Sequence, residues 1–190
     1  MRTAIIALGV LTLLAAPAVA GSVGVFGSWW DPKDSNDEFA GGVLVEGRFG
    51  ERVDLEFRVS WFDNVVTDLP DDAPGVELPY SAVPLDFGFA YNFVKDERKF
   101  TPYVGGGGTY YLLDTDNDSE GRIEDEWGWY GIAGLDFPIA DKWKFFVEAM
   151  YRDVEATLKG DNLGFGDPSE VEAFFDLKGP VVNVGIAFTW

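Results

Sequence analysis

The chain has no cysteine and no histidine among its 190 residues. Without cysteine, no disulfide framework can hold an exported fold together. Without histidine, the commonest general base and proton relay is missing, and no Ser or Thr stands beside a plausible substitute base. Basic residues are scarce: 14 Lys and Arg face 33 Asp and Glu, for a net charge of −19. That balance excludes nucleic acid as a partner, which needs a basic surface. Long apolar runs are also lacking beyond the first twenty residues. If the remainder lies in a membrane, it must do so as a closed β-barrel, the only spanning alternative to helices.

The one apolar run that exists is amino-terminal. Met1 to Ala20 carries a single charge, Arg2, followed by an apolar run from Ala4 to Ala16 in which Thr12 is the one polar residue, and the small-x-small sequence Ala18-Val19-Ala20. The run is too short to span a bilayer as a helix. It reads as a secretory signal peptide cleaved after Ala20, leaving residues 21–190 as one domain. With no cysteine near the cut, a lipid-modified amino terminus is excluded.

Beyond Ala20 the chain is strand-like, with a period of two. From Val182 to Trp190, Val182, Val184, Ile186, Phe188 and Trp190 share one face, and Asn183, Gly185, Ala187 and Thr189 share the other. Eight such segments are expected, at Ser22–Trp30, Ala40–Phe49, Val53–Phe62, Tyr80–Phe93, Phe100–Leu113, Glu126–Pro138, Trp143–Thr157 and Pro180–Trp190. The third sets Val53, Leu55, Phe57, Val59 and Trp61 against Asp54, Glu56, Arg58 and Ser60. The fourth, sixth and seventh alternate similarly. The fifth contains Gly105 to Gly108, and its pattern leaves its faces unassigned; the glycines suggest a bend or close packing.

Connections alternate in length. Short turns come after the second, fourth and sixth segments, and long acidic loops after the first, third, fifth and seventh. The four loops with their flanks account for the whole net charge of −19. A soluble protein has no reason to polarise its charge this way. Long loops at one end and tight turns at the other are the layout of an outer-membrane barrel, with both termini periplasmic and the loops extracellular. The expected fold is therefore all-β: an eight-stranded antiparallel up-and-down transmembrane β-barrel.

The eight segments, Pro102-Tyr103-Val104-Gly105-Gly106-Gly107, Gly131-Ile132-Ala133-Gly134-Leu135-Asp136-Phe137 and the terminal Phe188-Thr189-Trp190 together resemble the small outer-membrane β-barrel domain of OmpA/OmpX type. The resemblance covers residues 21–190 and speaks to fold more than to function. It implies that Phe188 and Trp190 form the signal read by the barrel-assembly machinery. It also implies contact with outer-membrane lipids and lipopolysaccharide; with nothing after Trp190, the peptidoglycan-binding domain of the larger relatives is not expected. Barrel-borne acyltransferases, lipid deacylases and proteases rely on a histidine, so no enzymatic activity and no cofactor are expected.

Three constellations are candidates for a site. If the apolar faces meet lipid, Glu46, Arg48, Asp54, Glu56, Arg58, Asp86, Asp136, Lys144, Glu148 and Arg152 point into a lumen just wide enough for side chains to fill it. Opposite charges confined there should pair, because an unpaired buried charge is costly; the expected role is a structural plug, with a narrow ion-conducting lumen as the alternative. A second group, Asp114, Asp116, Asp118 and Asp125, has some of the spacing of a calcium loop. However, Ser119 stands where that loop needs Gly, so a solvated acidic loop is the simpler reading and no metal is expected. Third, Trp29, Trp30, Trp61, Trp127, Trp129, Trp143, Tyr151, Phe188 and Trp190 suit interfacial aromatic girdles. The expected function is an outer-membrane structural anchor displaying acidic extracellular loops for surface interaction. The alternatives are a narrow pore for ions or small solutes, and a periplasmic lipocalin-like barrel around an apolar ligand, which requires the apolar faces to turn inward.

Overall fold

Alternating side chains on successive strands need a sheet with two different solvents, and the fold supplies one by closing on itself. The computed structural model describes residues 21–68, 77–94, 100–115, 122–123, 125–160 and 171–190. Its strands are β1 (Gly21–Trp30), β2 (Glu38–Arg48), β3 (Val53–Asp68), β4 (Glu77–Asn92), β5 (Thr101–Thr115), β6 (Arg122–Ile123), β7 (Glu126–Ala140), β8 (Trp143–Asp153), β9 (Glu155–Gly160), β10 (Val171–Asp176) and β11 (Gly179–Thr189). Eight of them close in the order β1-β11-β8-β7-β5-β4-β3-β2, every neighbour antiparallel. Closure leaves no wall strand with an unpaired edge.

Between β2 and β3 the chain reverses over four residues, with Phe49 N donating to Val53 O at 2.7 Å and Gly50 at φ 93°, a conformation that favours glycine. Two residues, Asp141 and Lys142, join β7 to β8. The first and last described residues meet at this same turn end, where Trp190 N donates to Gly21 O at 3.1 Å. The expected signal peptide, 1–20, and the short turn expected at 95–99 lie outside the described residues.

Three boundaries differ from the sequence expectation. The seventh segment does not run unbroken to Thr157: Val154 separates β8 from β9. The third and fourth long connections are not wholly irregular, because β6, β9 and β10 form a second, three-stranded sheet in the order β10-β9-β6 beyond the barrel rim. Finally, β3 and β4 extend to Asp68 and back from Glu77, with a bulge between Phe62 and Val65. The bulge inserts a residue and flips parity. Phe62 and Val65 therefore both point inward, three positions apart.

Gly105 to Gly108 receive their faces here. Odd-numbered residues of β5 point inward: Tyr103, Thr109, Tyr111 and Leu113 are buried, whereas Val104 is exposed. Gly107 pairs with Gly88 on β4. A Cβ on Gly107 would strike the Phe87 carbonyl and sit 2.6 Å from Gly88 Cα, and one on Gly88 would sit 2.6 Å from Tyr130 Oη. The glycines thus permit close approach where Tyr130 reaches along the inner wall, past Gly107 on β5, to Gly88 on β4.

Candidate functional site: the barrel lumen

The outer face is apolar. Val25, Phe87, Phe89, Tyr91, Trp127, Trp129, Ile186 and Trp190 are all exposed. Charges occupy the interior instead. All ten residues expected in the lumen lie on inward faces, and Arg58, Asp86 and Arg152 are 0% exposed. This is the reverse of what a lipocalin-like apolar interior requires.

The register stacks the interior in tiers. At the turn end, Arg48 Nε donates to Asp54 Oδ1 at 2.8 Å and Asn92 Nδ2 to Asp54 Oδ2 at 2.6 Å. Beside them, Lys144 Nζ bridges Glu46 at 2.6 Å and Asp136 at 2.8 Å, and Ser22 also donates to Glu46. In the middle tier the Arg58 guanidinium meets the Glu148 carboxylate fork to fork, with Nη2 to Oε1 at 2.6 Å and Nη1 on Oε2. Such bidentate pairs are geometrically specific as well as strong. Tyr103 Oη and Asn183 Nδ2 also donate to Glu148, at 2.6 and 3.2 Å, and Glu56 Oε1 lies 3.1 Å from Arg58. Higher still, Arg152 Nη2 reaches Asp86 Oδ2 at 2.5 Å.

Above the ions the lumen turns aromatic. Trp30 packs against Phe62 at 5.0 Å between ring centroids and against Tyr111 at 5.9 Å. Val65, Tyr80, Leu113, Met150 and Val181 belong to the same cluster. Val154 and Leu177 from the fourth loop cap it, joined by Leu177 N donating to Val154 O at 3.0 Å. Sequence reasoning missed this plug. It placed Trp30 in the lipid-facing girdle, but the residue is fully buried because Ser22, Phe26, Ser28 and Trp30 share parity on β1. A smaller cluster of Phe26, Leu44, Phe146 and Ala187 lies nearer the turns on β1, β2, β8 and β11.

The remaining candidates stand apart from the lumen. Trp29, Trp61, Trp127, Trp129, Trp143 and Tyr151 face outward, and Phe188 lies 5.4 Å from Trp143, with Lys142 Nζ 5.7 Å from its ring. Of the calcium-loop group, Asp116 and Asp118 lie outside the described residues. Asp125 accepts from Leu113 N at 3.2 Å and Tyr110 Oη at 3.4 Å, while Asp114 is exposed. No group of three His, Cys, Asp or Glu placed to hold a metal occurs among the described residues. At the loop end, hydrogen bonds from Lys178 (2.6 Å) and Lys33 (2.8 Å) hold the Asp176 carboxyl below the usual carboxylate range. These contacts tie the first loop to the fourth.

An apolar outer wall around a charged, close-packed interior defines an integral β-barrel membrane protein. The chain belongs to the outer membrane protein beta-barrel domain family, which its sequence matches over residues 3–166. No curated protein sequence matches it. Among solved structures it is similar to the outer membrane protein OprG from Pseudomonas aeruginosa, with a TM-score of 0.76 at 18% identity, covering 90% of this chain and 97% of that one. It is also similar to Neisserial surface protein A, with a TM-score of 0.65 at 10% identity and coverage of 90% and 97%. A third is E. coli outer membrane protein W, with a TM-score of 0.57 at 16% identity and coverage of 91% and 100%. Identities this low speak to the fold alone. Family and fold together make this an outer-membrane protein.

Proposed function

We propose that the chain is a closed outer-membrane anchor that holds an acidic loop end at the cell surface. The observation that carries this reading is the double closure of the lumen. The Arg58–Glu148 pair spans its middle, and the Trp30, Phe62 and Tyr111 cluster fills its loop half. A barrel of eight strands has little room beyond its own side chains. Desolvated, hydrogen-bonded pairs such as these are also costly to part. No group in this interior suggests turnover, and the reading is non-enzymatic.

The orientation comes from the same asymmetry, with turns and termini periplasmic and loops outside. Phe188 and Trp190 then serve the assembly machinery, and divalent ions bridge the acidic loops to lipopolysaccharide phosphates. A narrow pore is the second reading, favoured by a lumen that is open from the turn end. It would require both the ion tier and the aromatic plug to move.

Labelling on intact cells tests the display. With no native cysteine, Asp63→Cys and Asp141→Cys each provide a single thiol. A membrane-impermeant maleimide should modify the first on whole cells and the second only after the outer membrane is broken. The opposite pattern would invert the orientation and remove the reading.

A further inference from the structure

Of the ten charged groups in the lumen, Glu56 alone accepts no hydrogen bond among the described residues. Both its oxygens are buried and neither is in hydrogen-bonding geometry, although Oε1 lies 3.1 Å from Arg58 Nη2. That guanidinium is already committed, because Nη1 and Nη2 both serve Glu148 of β8. On β2 the residue directly opposite Glu56 is Glu46, and like charges facing each other across two strands repel. Glu46 is held by Lys144 and Ser22, Asp86 of β4 by Arg152 of β8, and Tyr103 of β5 donates to Glu148. The enclosed acids Glu56, Asp86 and Glu148 thus face only Arg58 and Arg152, one base too few. Gly21 lines the cavity at the turn end with Glu46 and Asp136, which Glu56 does not reach. The amino group that cleavage after Ala20 would leave there serves that tier and not this one. On the remaining side stands a hydroxyl. Gly88 is opposite Glu56 on β4, Gly107 opposite Gly88 on β5, and Tyr130 opposite Gly107 on β7. Past these two glycines Tyr130 runs along the row until Oη is 2.6 Å from where a Gly88 Cβ would stand. Directly opposite Cβ atoms lie about 5 Å apart. The buried Tyr130 hydroxyl, itself without a hydrogen-bond partner among the described residues, is therefore within reach of the Glu56 carboxyl.

We propose that Glu56 is a proton-binding site: in the folded barrel it is held as a neutral carboxylic acid that donates to Tyr130 Oη. A buried carboxyl without full compensation takes a proton rather than remain charged. The bound proton removes the surplus charge of the enclosed tier and leaves Arg58 to Glu148 and Arg152 to Asp86. Closure of the lumen is thereby tied to one proton, because its loss puts a second carboxylate on Arg58 and opposite Glu46.

Infrared spectroscopy of the folded barrel at neutral pH, in a detergent free of esters, reads the carbonyl stretch of a carboxylic acid directly. The expected result is an acid band in the unaltered protein that shifts with carbonyl-labelled glutamate, does not shift with carbonyl-labelled aspartate, and is lost in Glu56→Gln. Tyr130→Phe should keep the band and move it to higher wavenumber, since the acid has lost its acceptor. No acid band in the unaltered protein, a band that follows the aspartate label, or one that survives Glu56→Gln would overturn the proposal. The labelling uses the unaltered chain, so the test stands even where Glu56→Gln does not fold. An unmoved band in Tyr130→Phe would remove Tyr130 from the site. As the pH is raised until the band is lost, the urea midpoint should fall further in the unaltered protein than in Glu56→Gln. Equal falls would overturn the tie between the proton and closure.

Discussion

Replacing Arg58 by Met removes the central cation of the lumen and leaves its partners behind. Arg58 is fully buried, bidentate to Glu148 and 3.1 Å from Glu56. Two carboxyl groups would then face each other with only Tyr103 and Asn183 as donors. Breaking one side of a buried pair costs about 3–5 kcal/mol, mostly from the uncompensated charge that remains. Restoring neutrality should recover most of it, because an uncharged, well-packed replacement of a buried ion pair is often tolerated. The expected order of stability is therefore unaltered protein, then Arg58→Met with Glu56→Gln and Glu148→Gln, then Arg58→Met alone. Equilibrium urea unfolding in lipid vesicles, monitored by tryptophan fluorescence and by gel mobility, measures it. If Arg58→Met lies within about 1 kcal/mol of the unaltered protein, or if the triple variant is no better than the single, the tier does not hold the lumen as described.

The wall is probed by Phe57→Arg, which puts a cation on the outward face of β3 and should cost about 2–4 kcal/mol at mid-bilayer depth, read from the same unfolding experiment. Normal assembly would reverse the faces. Gly107→Ala should destabilise the barrel by about 1–3 kcal/mol, the usual cost of overpacking, because its Cβ meets the backbone of Phe87 and Gly88. Gly41→Ala, which enters open space, should leave the urea midpoint nearly unchanged. At the loop end, Asp176 has a depressed folded-state pKa, so the tether it makes is present above the ordinary carboxyl range and is lost as pH falls below about 4 through the folded value. Amide exchange at Lys33 and Asp34, which donate to Lys178 O and Asp176 O, should quicken there beyond the intrinsic pH effect. Asp176→Asn should reproduce the change at neutral pH; unaltered protection in that variant would show that the backbone bonds alone hold the loop.

The barrel was legible in the sequence because a wall between lipid and a polar lumen writes its two solvents into alternate residues. Arg58 and Phe57 announce opposite faces without any knowledge of their neighbours. What alternation does not encode is depth along the strand. Trp30 and Phe62 share parity with charged or polar inward residues, yet they sit above the ion tiers, where the lumen is dry and aromatic. The parity of β1 was sufficient to place Trp30 inside, but an aromatic residue near a strand end reads equally well as a girdle. The bulge after Phe62 hid Val65, since a one-residue insertion reverses every later inference on that strand. The glycines of β5 suggested a bend or close packing but gave no face, because the close approach of Gly107 to Gly88 is a property of two strands rather than one. Pairing choices were likewise invisible. Register sets Asp86 beside Arg58 on adjacent strands, but Asp86 bonds Arg152 and Arg58 takes Glu148 from across the barrel.

The closed lumen is tested most directly by single-channel recording of refolded residues 21–190 in a planar bilayer, with insertion verified independently. The account predicts no discrete ion-conducting steps from folded, inserted barrels, and none from Arg58→Met alone, because the Trp30, Phe62 and Tyr111 cluster still fills the loop half. Reproducible, ion-selective steps from the unaltered protein would contradict it and make the lumen a pore.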